Sequence, residues 1–321
     1  ILAGSYFLKY DKKMKILITA PEYYDDDAIA LFKTIGNVTI KKCNSEELLK
    51  IIPEYTVLAI RVDTKVDKTI IDAGKKLKVI ATATTGIDHI NSIYAKEKNI
   101  EVISLQGANT IATAEHSFGM LLSMIRKIPT AHNSLINGKW NRENFMGTQL
   151  FGKKLGIIGF GRIGKEIAKR AQAFGMSILA YDPYLTDEIF AQNNATKMQM
   201  DDLFKEADVI TLHVFLTDET RGFINKNKFQ LMKKNAILIN CSRGEVINEK
   251  DLVEALETKT IAAACLDVFS QEPLPEKSVI TAYAKTHNNL LITPHIAGST
   301  FEALHEAGIF IAQKTKEILS K

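Results

Sequence analysis

The stretch Leu155-Gly-Ile-Ile-Gly-Phe-Gly-Arg-Ile-Gly164 decides the fold of this chain. Its apolar beginning, up to Ile158, predicts a buried strand, and three glycines follow at the spacing G-x-G-x-x-G. A helical pattern comes next, and then a second apolar strand that ends at Asp182. A strand, a glycine-rich turn, a helix and a strand with an acidic end together form the βαβ unit that is typical of dinucleotide binding.

Each part of this unit has a physical task. Gly159 permits the tight turn, Gly161 lets the backbone approach a pyrophosphate, and Gly164 lets helix and strand pack closely. The N-terminus of the helix offers unpaired N–H groups to phosphates. Asp182 can accept hydrogen bonds from both ribose hydroxyls and would repel a 2′-phosphate, so the sequence predicts NAD as the cofactor rather than NADP. A glycine-rich turn without a ligand is the alternative.

The composition indicates a globular chain with room for two domains. Its 321 residues are 46% hydrophobic and 24% charged, and 41 basic against 37 acidic residues leave a net charge of +4. No basic block is present, which argues against nucleic-acid binding, and no apolar run reaches the length of a transmembrane helix. The three cysteines are far apart and form neither a disulfide framework nor a zinc spacing. We therefore expect a cytoplasmic protein that binds small anionic molecules.

Apolar strands alternate with helical segments on both sides of the glycine turn. This rhythm predicts an α/β fold with two doubly wound parallel sheets. Ser45 is a predicted helix cap, and Ser299 and Glu302 have the pattern of a capping box for a final helix. Because that helix follows the last strand of the second half, we expect it to return to the first domain. Met14 begins the first strand segment, so residues 1–13 are expected to be an upstream extension or an expression remnant.

The polar stretch Thr84-Thr85-Gly86-Ile87-Asp88-His89 follows the fourth predicted strand. Open α/β sheets bind ligands at the carboxyl ends of their strands. The hydroxyls of Thr84 and Thr85 and the flexible backbone of Gly86 could therefore donate hydrogen bonds to a carboxylate. The alternative is a polar turn in which Asp88 caps the next helix.

An apolar helical stretch over 115–126 precedes the glycine turn. A second one leads to Asn137-Gly-Lys-Trp-Asn-Arg142, which contains the only tryptophan of the chain. This segment is too apolar for a solvated arm. A subunit interface between two copies of the chain would bury it. Packing within one copy would bury it too, and the sequence leaves both explanations open.

Three predicted strands of the second half are followed by Arg243, Glu272 and His295. Because parallel strands align their carboxyl ends along one edge, these residues can meet in one cleft. Arginine can hold a carboxylate and polarise the adjacent carbonyl, histidine can exchange a proton with an alkoxide, and a neighbouring glutamate favours the charged imidazole. The set fits hydride transfer to a 2-oxo acid. Taken singly, a surface ion pair, a turn residue before Pro273 and a satisfied histidine are the alternatives.

The remaining histidines and cysteines give weaker signals. His213 ends a predicted strand and is expected to pack near the cofactor. Cys241 has no paired base that would make it a nucleophile. His89, His116 and His305 have no metal-ligand spacing with cysteines or acidic residues, so we predict no metal. The chain contains no G-x-S-x-G motif, which argues against a hydrolase.

From Met14 onward the chain resembles the D-isomer-specific 2-hydroxyacid dehydrogenases, and within them the short phosphoglycerate dehydrogenase branch. Besides the glycine turn, the motifs that carry the resemblance are Tyr181-Asp-Pro183, Asn240-Cys-Ser-Arg-Gly244, Leu266-Asp-Val-Phe269 with Glu272-Pro273, and Thr293-Pro-His-Ile-Ala-Gly-Ser-Thr300. The resemblance implies a flavodoxin-like substrate-binding domain of residues 14–109 plus 297–321, with a Rossmann NAD-binding domain of residues 110–296 inserted into it. It also implies a homodimer joined through residues 115–150, and closure of the domains over the cleft.

The resemblance further implies roles for individual residues. Arg243 would bind the substrate, and His295 would act as acid and base with Glu272 as its partner. Arg162 and Ile163 would lie on the pyrophosphate, with Cys241 and Asp267 near the nicotinamide. Together with the contacts expected above, the predicted cofactor-binding residues are Gly159, Gly161, Arg162, Ile163, Gly164, Asp182, His213, Val214, Cys241, Ser242, Asp267 and Gly298. The predicted substrate-binding residues are Arg61, Thr84, Thr85 and Gly86.

Two departures from the branch bear on the substrate. Thr82 stands where the branch often has an arginine, and Thr84 stands where it often has a glycine, while Arg61 matches another basic position. We expect oxidation of D-3-phosphoglycerate to 3-phosphohydroxypyruvate in serine biosynthesis. A glyoxylate/hydroxypyruvate reductase or a broader 2-oxo-acid reductase is the enzyme alternative. An NAD(H)-sensing, corepressor-like binding protein is the alternative outside catalysis.

Three further comparisons with the family narrow the expectation. Glu272 argues against the formate dehydrogenases, which carry an amide at that position. Phe215 stands where the family usually has proline, a change of minor expected effect. Because the chain ends after its last predicted helix, we do not expect serine feedback through a C-terminal regulatory domain.

Overall fold

The computed structural model describes residues 14–62, 64–105 and 107–320. Residues 1–13, predicted to be an extension or a remnant, lie outside the described residues. The chain forms two compact units: the first comprises the described residues up to Asn109 and from Ser299 onward, and the second is Thr110–Gly298. Within the described ranges, no helix is long and apolar enough to cross a membrane.

A five-stranded parallel sheet is the core of the first unit. Its strands are β1 (Lys15–Ile18), β2 (Asn37–Ile40), β3 (Val57–Ile60), β4 (Val79–Thr82) and β5 (Glu101–Ser104). Its helices before the second unit are α1 (Asp26–Lys33), α2 (Ser45–Ile51), α3 (Lys68–Ala73) and α4 (Ser92–Glu97), with short 3₁₀ turns at Pro21–Tyr23 and Ile52–Glu54. The strand order is β2-β1-β3-β4-β5. Every residue of β3 and β4 is buried, as expected for apolar runs with a core on both faces of the sheet.

Side chains cap the helices of the first unit, but at positions that differ from the prediction. Asn44, not Ser45, caps α2: its side chain accepts the N–H of Glu47, whose carboxylate accepts the N–H of Asn44. Ser45 is instead the first helical residue. Asn91 caps α4 by accepting a backbone N–H, so the alternative role of Asp88 as that cap is wrong.

A seven-stranded parallel sheet is the core of the second unit. Its strands are β6 (Lys154–Ile158), β7 (Ser177–Tyr181), β8 (Ala195–Lys197), β9 (Val209–Leu212), β10 (Ile237–Asn240), β11 (Ala263–Leu266) and β12 (Leu290–Ile292). Its helices are α5 (Thr110–Ile125), α6 (Ile128–Ile136), α7 (Arg162–Ala173), α8 (Asp187–Gln192), α9 (Met200–Glu206), α10 (Lys226–Leu231), α11 (Glu249–Glu257) and α12 (Val279–Ala284), with 3₁₀ turns at Arg142–Phe145 and Gly244–Val246.

The strand order of the second sheet is β12-β11-β10-β9-β6-β7-β8, with every pair parallel. The order reverses direction at β6, whose carboxyl end leads into the glycine turn. Such a switch point is where open α/β sheets bind their ligands. The two parallel sheets confirm the predicted α/β class, while the roles and boundaries predicted for the two domains stay predictions.

The final helix, α13 (Phe301–Leu319), belongs to the first unit, where it packs against α1. Gly308 permits this close approach, because a Cβ at that position would lie 2.7 Å from a side chain of α1. Thr300 caps α13 by accepting a backbone N–H at 3.1 Å. The predicted capping box of Ser299 and Glu302 is therefore wrong.

The apolar segment ahead of the glycine turn has a buried part and an exposed part. α5 buries Phe118 and Leu121 in the core of the second unit, so packing within one copy accounts for that helix. α6 buries no residue, and the residues Ile136, Trp140 and Met146 are 67%, 71% and 79% exposed. Contacts within one copy do not account for this second part. The predicted subunit interface stays a prediction.

Candidate active site

The glycine turn lies between β6 and α7, and its three glycines are under different constraints. Gly159 has a φ of +89°, and a Cβ there would lie 2.3 Å from the carbonyl oxygen of His213. A Cβ on Gly164 would lie 2.4 Å from the carbonyl oxygen of Gly159. Gly161, by contrast, has no neighbouring atom within 4 Å of an added Cβ, and it caps α7 without a side-chain hydrogen bond. The turn therefore leaves open space before a helix N-terminus, which fits a pyrophosphate.

Asp182 follows β7 and is tied to the glycine turn by backbone hydrogen bonds. Its carboxylate accepts the N–H of Phe160 and the N–H of Tyr184, each at 3.0 Å. An ionised carboxylate has about four acceptor positions, so both oxygens keep capacity for ribose hydroxyls. Arg162 and Ile163 are the first residues of α7, where N–H groups have no partner within the helix. An acceptor and unpaired donors thus surround the same turn.

His213 and Val214 follow β9 and lie against the glycine turn. A methyl group of Val214 would be 3.2 Å from a Cβ on Gly159. The Nε2 atom of His213 is 2.9 Å from the hydroxyl of Thr211, while its Nδ1 atom has no hydrogen-bond partner among the described residues. Burial lowers the pKa of His213 to about 3, so the ring is neutral at pH 7. An unpaired buried nitrogen is costly unless a ligand or water bonds to it, which fits a position beside a cofactor.

Arg243 follows β10, and its neighbours hold its backbone in place. The side chain of Asn240 donates to the carbonyl oxygen of Arg243 at 2.8 Å and accepts the N–H and the hydroxyl of Ser242 at 3.0 and 2.7 Å. The guanidinium donates through Nη1 to the carbonyl oxygen of Ser242 at 2.7 Å. A Cβ on Gly244 would lie only 1.9 Å from the backbone of Phe269. The arginine segment therefore packs directly on the loop that follows β11.

Glu272 lies in the loop after β11, His295 lies in the turn after β12, and their side chains are in contact. Nδ1 of His295 is 2.6 Å from Oε2 of Glu272, and the two side chains are about one-third exposed. Oε1 of Glu272 accepts the N–H of Phe269 at 3.0 Å, which fixes the carboxylate. Because Glu272 engages Nδ1, the Nε2 atom of His295 is the ring nitrogen left to exchange a proton with a ligand.

Asp267 is a fully buried carboxylate that anchors the turn after β12. Its Oδ1 accepts the hydroxyl of Thr293 at 2.5 Å and the N–H of Ile296 at 2.9 Å, and its Oδ2 accepts the N–H of Ala297 at 2.8 Å. Nε2 of His116, on α5, is 3.1 Å from the Thr293 hydroxyl and 3.4 Å from Oδ1 of Asp267. Burial raises the pKa of Asp267, but the hydrogen bonds outweigh burial and hold that pKa below its usual value. The sequence did not predict the contact of His116 with Thr293 and Asp267. The only signal for it was a single histidine in an otherwise apolar helix.

The thiols of the second unit are buried and inert. Sγ of Cys241 is 3.9 Å from the sulfur of Met120, and Cys265 donates to the carbonyl oxygen of Met120 at 3.7 Å. Burial raises the pKa of Cys241 to about 12 and also raises that of Cys265. Protonated thiols are poor nucleophiles, so Cys241 can take part in a binding site only as a neutral wall.

In the first unit, the loop after β4 contains a directed chain of hydrogen bonds. The hydroxyl of Thr84 donates to the carbonyl oxygen of Gly86 at 2.7 Å, so its oxygen accepts the hydroxyl of Thr82 at 2.8 Å. Since the proton of Thr82 is then used, Nε2 of His89, 3.1 Å away, is the donor to Thr82. The N–H groups of Gly86 and Ile87 donate to no residue in the described part of the chain.

Arg61 and Thr85, also in the first unit, are engaged by neighbouring side chains. Nη2 of Arg61 donates to the hydroxyl of Ser299, which follows Gly298, at 3.2 Å, and the guanidinium lies 3.6 Å from the ring centre of Tyr23. The hydroxyl of Thr85 donates to the side-chain oxygen of Asn109 at 3.0 Å. The hydroxyl protons of this loop are therefore used within the unit, and its backbone N–H groups are the donors left for a carboxylate.

His305 corrects one expectation drawn from the sequence. Its Nδ1 is 2.5 Å from Oδ2 of Asp25, and one ligand atom from each of His305, Asp25 and Asp27 lies within 4.8 Å of the others. His305 therefore has acidic partners, which sequence spacing did not reveal because Asp25 is 280 residues away. The contact is an ion pair between α13 and Asp25, the residue that caps α1. The prediction that the chain binds no metal stays a prediction.

Comparisons with known proteins point to one family. The family model described as D-isomer specific 2-hydroxyacid dehydrogenase, NAD binding domain, matches residues 118–297. The D-3-phosphoglycerate dehydrogenase of Methanocaldococcus jannaschii is 43% identical over 309 residues, which cover 95% of this chain and 57% of that protein. The hydroxypyruvate reductase of Thermotoga maritima is 44% identical over 277 residues, which cover 86% of this chain and 89% of that protein.

A solved structure with a bound cofactor has the same fold. D-lactate dehydrogenase from Aquifex aeolicus, complexed with NAD and lactic acid, is 26% identical, covers 95% of each chain and has a TM-score of 0.83. The chain spans only about half the length of the phosphoglycerate dehydrogenases that it matches, between 54% and 57% for three of them.

Proposed function

The chain belongs to the D-isomer specific 2-hydroxyacid dehydrogenase family, and we propose that it oxidises D-3-phosphoglycerate to 3-phosphohydroxypyruvate with NAD. The family model of an NAD binding domain matches residues 118–297, which lie within the second unit, and this supports that unit as the NAD-binding domain. Arg243, Glu272 and His295 carry the proposed chemistry.

The 2.6 Å contact between His295 and Glu272 is the observation on which the proposal rests. In the oxidative direction, Nε2 of His295 takes the proton of the substrate hydroxyl, and in the reductive direction it returns that proton to the oxygen. The carboxylate of Glu272 stabilises the imidazolium that forms. General acid–base catalysis of this kind contributes on the order of 10²–10⁴ in rate.

Arg243 supplies the positive charge of the proposed site. A guanidinium can hold a carboxylate through two parallel hydrogen bonds. The bond to the carbonyl oxygen of Ser242 restricts its direction, and the close packing of Gly244 keeps its backbone beside the loop that leads to Glu272. We assign Arg243 to binding the substrate carboxylate and polarising the neighbouring oxygen.

The glycine turn, Asp182 and His213 are the groups that would hold the cofactor. NAD, when bound, supplies or accepts the hydride. The open space at Gly161 fits its pyrophosphate, and the acceptor capacity of Asp182 fits its ribose hydroxyls while repelling a 2′-phosphate. The unpaired Nδ1 of the neutral His213 ring can accept a hydrogen bond at the same turn.

The comparisons and the first unit bear on which of two substrates is preferred. Similarity to proteins named D-3-phosphoglycerate dehydrogenase over most of this chain supports the phosphorylated substrate, and Arg61 offers a cation in the first unit. Hydroxypyruvate is the second candidate. Thr82 is fully buried and its hydroxyl donates to Thr84, so Thr82 has no hydrogen bond to donate to a phosphate. The similarity to a hydroxypyruvate reductase of matching length supports that candidate as well.

We also propose a homodimer that works in serine biosynthesis in the cytoplasm. The exposed apolar side chains of α6 and of the segment after it, which include Trp140, support an interface between copies. All three cysteines are free in the structure, which fits a reducing compartment.

Initial rates of NADH oxidation with 3-phosphohydroxypyruvate, hydroxypyruvate and glyoxylate, measured side by side, test the proposal. We expect the highest kcat/KM for the phosphorylated compound. Arg61→Met should then lower kcat/KM for that compound alone by about tenfold or more, since a hydrogen bond to a charged group contributes about 1.5–3 kcal/mol. Lys68→Gln, which removes an exposed cation of the first unit, is the matched control. It should leave kcat/KM unchanged for the phosphorylated compound and for the other two compounds.

The other outcomes have definite meanings. A preference for hydroxypyruvate, unchanged by Arg61→Met, would replace the first candidate by the second. Absence of turnover with every 2-oxo acid, together with tight NADH binding, would contradict an enzyme and favour the corepressor-like alternative. That alternative would require peptide binding that depends on NADH.

A further inference from the structure

We propose that His116 is a positioning residue for the reaction: through Thr293 and Asp267 it holds the turn that presents His295 to the substrate. The inference rests on the proposed function, because it takes His295 as the acid and base. His116, Thr293 and Asp267 are called the His116 relay below. All of its members belong to the second unit.

The direction of the relay follows from its protons. The hydroxyl of Thr293 has a single proton, and its 2.5 Å contact with Oδ1 of Asp267 is short, as a hydrogen bond to a carboxylate is. That proton therefore points to Asp267. Nε2 of His116, which is 3.1 Å from the same hydroxyl, must then be the donor. The relay consequently requires a proton on Nε2 of His116.

The last member of the relay, Asp267, binds the backbone around His295. The carboxylate of Asp267 accepts hydrogen bonds from the N–H groups of Ile296 and Ala297. The backbone carbonyl oxygen of Asp267 accepts the N–H of His295 at 2.8 Å. Three consecutive N–H groups are thus bound to one aspartate. His295 has a φ of +53°, a left-handed conformation that a residue with a side chain keeps only when its surroundings impose it.

His116 adds the contact that comes from a different element. Thr293 and the N–H groups that donate to Asp267 belong to the segment after β12, whereas His116 lies on α5, which packs in the core of the same unit. Its side chain is only 21% exposed. A fully buried carboxylate is costly unless donors surround it. Losing His116 would leave the oxygen of Thr293 without this donor, which weakens the hold of Thr293 on Asp267 and loosens the anchor of the turn.

Three substitutions at one position test the reach of the donor. Glutamine carries an N–H₂ group as many bonds from Cβ as Nε2 of histidine, asparagine carries one a bond closer, and leucine carries none. His116→Leu and His116→Asn should lower kcat about tenfold to a hundredfold, with little change in KM for NADH. His116→Gln should restore most of kcat. Equal losses in all three variants would overturn the proposal.

His287 provides the matched control, because it also contacts a threonine hydroxyl in the second unit. Its Nδ1 is 2.9 Å from Oγ1 of Thr286. Since that pair lies outside the relay, His287→Leu should leave kcat unchanged. If His287→Leu lowered kcat as much as His116→Leu does, loss of any such histidine in the second unit would lower kcat. That result would contradict a specific role for His116.

A double-mutant cycle tests whether His116 acts through Thr293. His116→Leu, Thr293→Val and the double variant are compared by kcat. In a relay, the second substitution removes little once the first has broken the chain. We therefore expect the double variant to be about as slow as the slower single variant. Losses that multiply would show independent roles and would overturn the relay.

NMR of the His295 ring separates failure of this inference from failure of the proposed function, since it needs no turnover. The ring C–H resonance of His295 should shift in His116→Leu and His116→Asn, and should stay in place in His116→Gln and His287→Leu. If the unmodified protein reduces no 2-oxo acid, the proposed function fails while the NMR series still tests the relay. If the protein is active and neither kcat nor the resonance responds to His116→Leu, the relay fails alone.

Discussion

The His116 relay of the second unit and the loop after β4 in the first unit begin alike and end differently. In both, an imidazole Nε2–H donates to a threonine hydroxyl. In the first unit the chain of His89, Thr82, Thr84 and the carbonyl of Gly86, called the His89 relay, ends on a neutral oxygen. The His116 relay ends on a buried carboxylate.

The nature of the last acceptor decides what each relay can do. Hydrogen bonds to charged groups contribute about 1.5–3 kcal/mol each, against about 0.5–1.5 kcal/mol for neutral ones. The charged end makes Asp267 a rigid anchor of the turn that carries His295. The neutral end sets the direction of the Gly86 carbonyl, and with it the peptide whose N–H belongs to Ile87. We therefore expect the His116 relay to control kcat and stability, and the His89 relay to control substrate binding.

Asp267→Asn should have the largest effect on stability. An amide nitrogen would face backbone donors where a carboxylate oxygen now accepts them, and breaking such a buried charged network costs about 3–5 kcal/mol. Urea unfolding followed by circular dichroism measures the loss. Asp187→Asn is the control, because the Asp187 side chain is 82% exposed in its ion pair with Lys197 and should cost less than about 1 kcal/mol. Equal losses would remove the distinction between the relays.

Thr82→Val should have a smaller effect on stability. It keeps the shape of the fully buried side chain but leaves His89 and Thr84 without their bonding partner, at a cost of about 1–2 kcal/mol. Thr82→Ser, which keeps the hydroxyl, should lose less. The same urea titration ranks the variants. A loss in Thr82→Val as large as that in Asp267→Asn would contradict the comparison between charged and neutral ends.

His89→Leu should change binding rather than turnover. Without its donor, the His89 relay lets the Gly86 carbonyl turn, so KM for the 2-oxo acid should rise about three- to tenfold while kcat stays near that of the unmodified protein. His89→Gln should restore KM if Nε2–H is the group that matters. A fall in kcat with unchanged KM would assign the loop to catalysis and erase the contrast with His116.

His305 gives the smallest expected effect, because its ion pair with Asp25 is exposed at the surface of the first unit. The hydrogen bond to Asp25 and its negative charge raise the pKa of His305 above 6.5. The stabilisation is therefore fully present below pH 6.5 and is lost as pH rises through the raised pKa. Thermal unfolding at pH 6 and pH 9 should show a small extra loss of Tm at pH 9 that His305→Gln abolishes. A dependence that is the same in both proteins would show that other groups cause it.

Local patterns allowed the sequence to predict the main elements. The glycine turn, the strand that ends before Asp182, and the three strands that precede Arg243, Glu272 and His295 each carry their signal within a few adjacent residues. The short elements β8, α8 and α12 span three to six residues, too few for a period to appear. The cap of α2 was missed by one residue, because adjacent Asn44 and Ser45 are equally good caps and the backbone chooses between them.

Contacts between distant residues were beyond the sequence. His116 contacts Thr293, which is 177 residues away in the sequence, and no sequence pattern within α5 indicates that contact. His305 was judged by its neighbours in sequence, whereas its acidic partner, Asp25, caps α1 at the other end of the chain. Even the 2.6 Å contact of His295 with Glu272 was expected from the alignment of strand ends and from family resemblance, and its geometry required the folded sheet.

Turnover by His295→Ala, measured together with NADH binding, tests the proposed chemistry most directly. NADH fluorescence should give a Kd close to that of the unmodified protein, because the glycine turn and Asp182 are untouched. Reduction of the preferred 2-oxo acid should fall by about 10²–10⁴, the contribution of a general acid. Normal NADH binding with this loss is the predicted result, and turnover near that of the unmodified protein would contradict the role of His295.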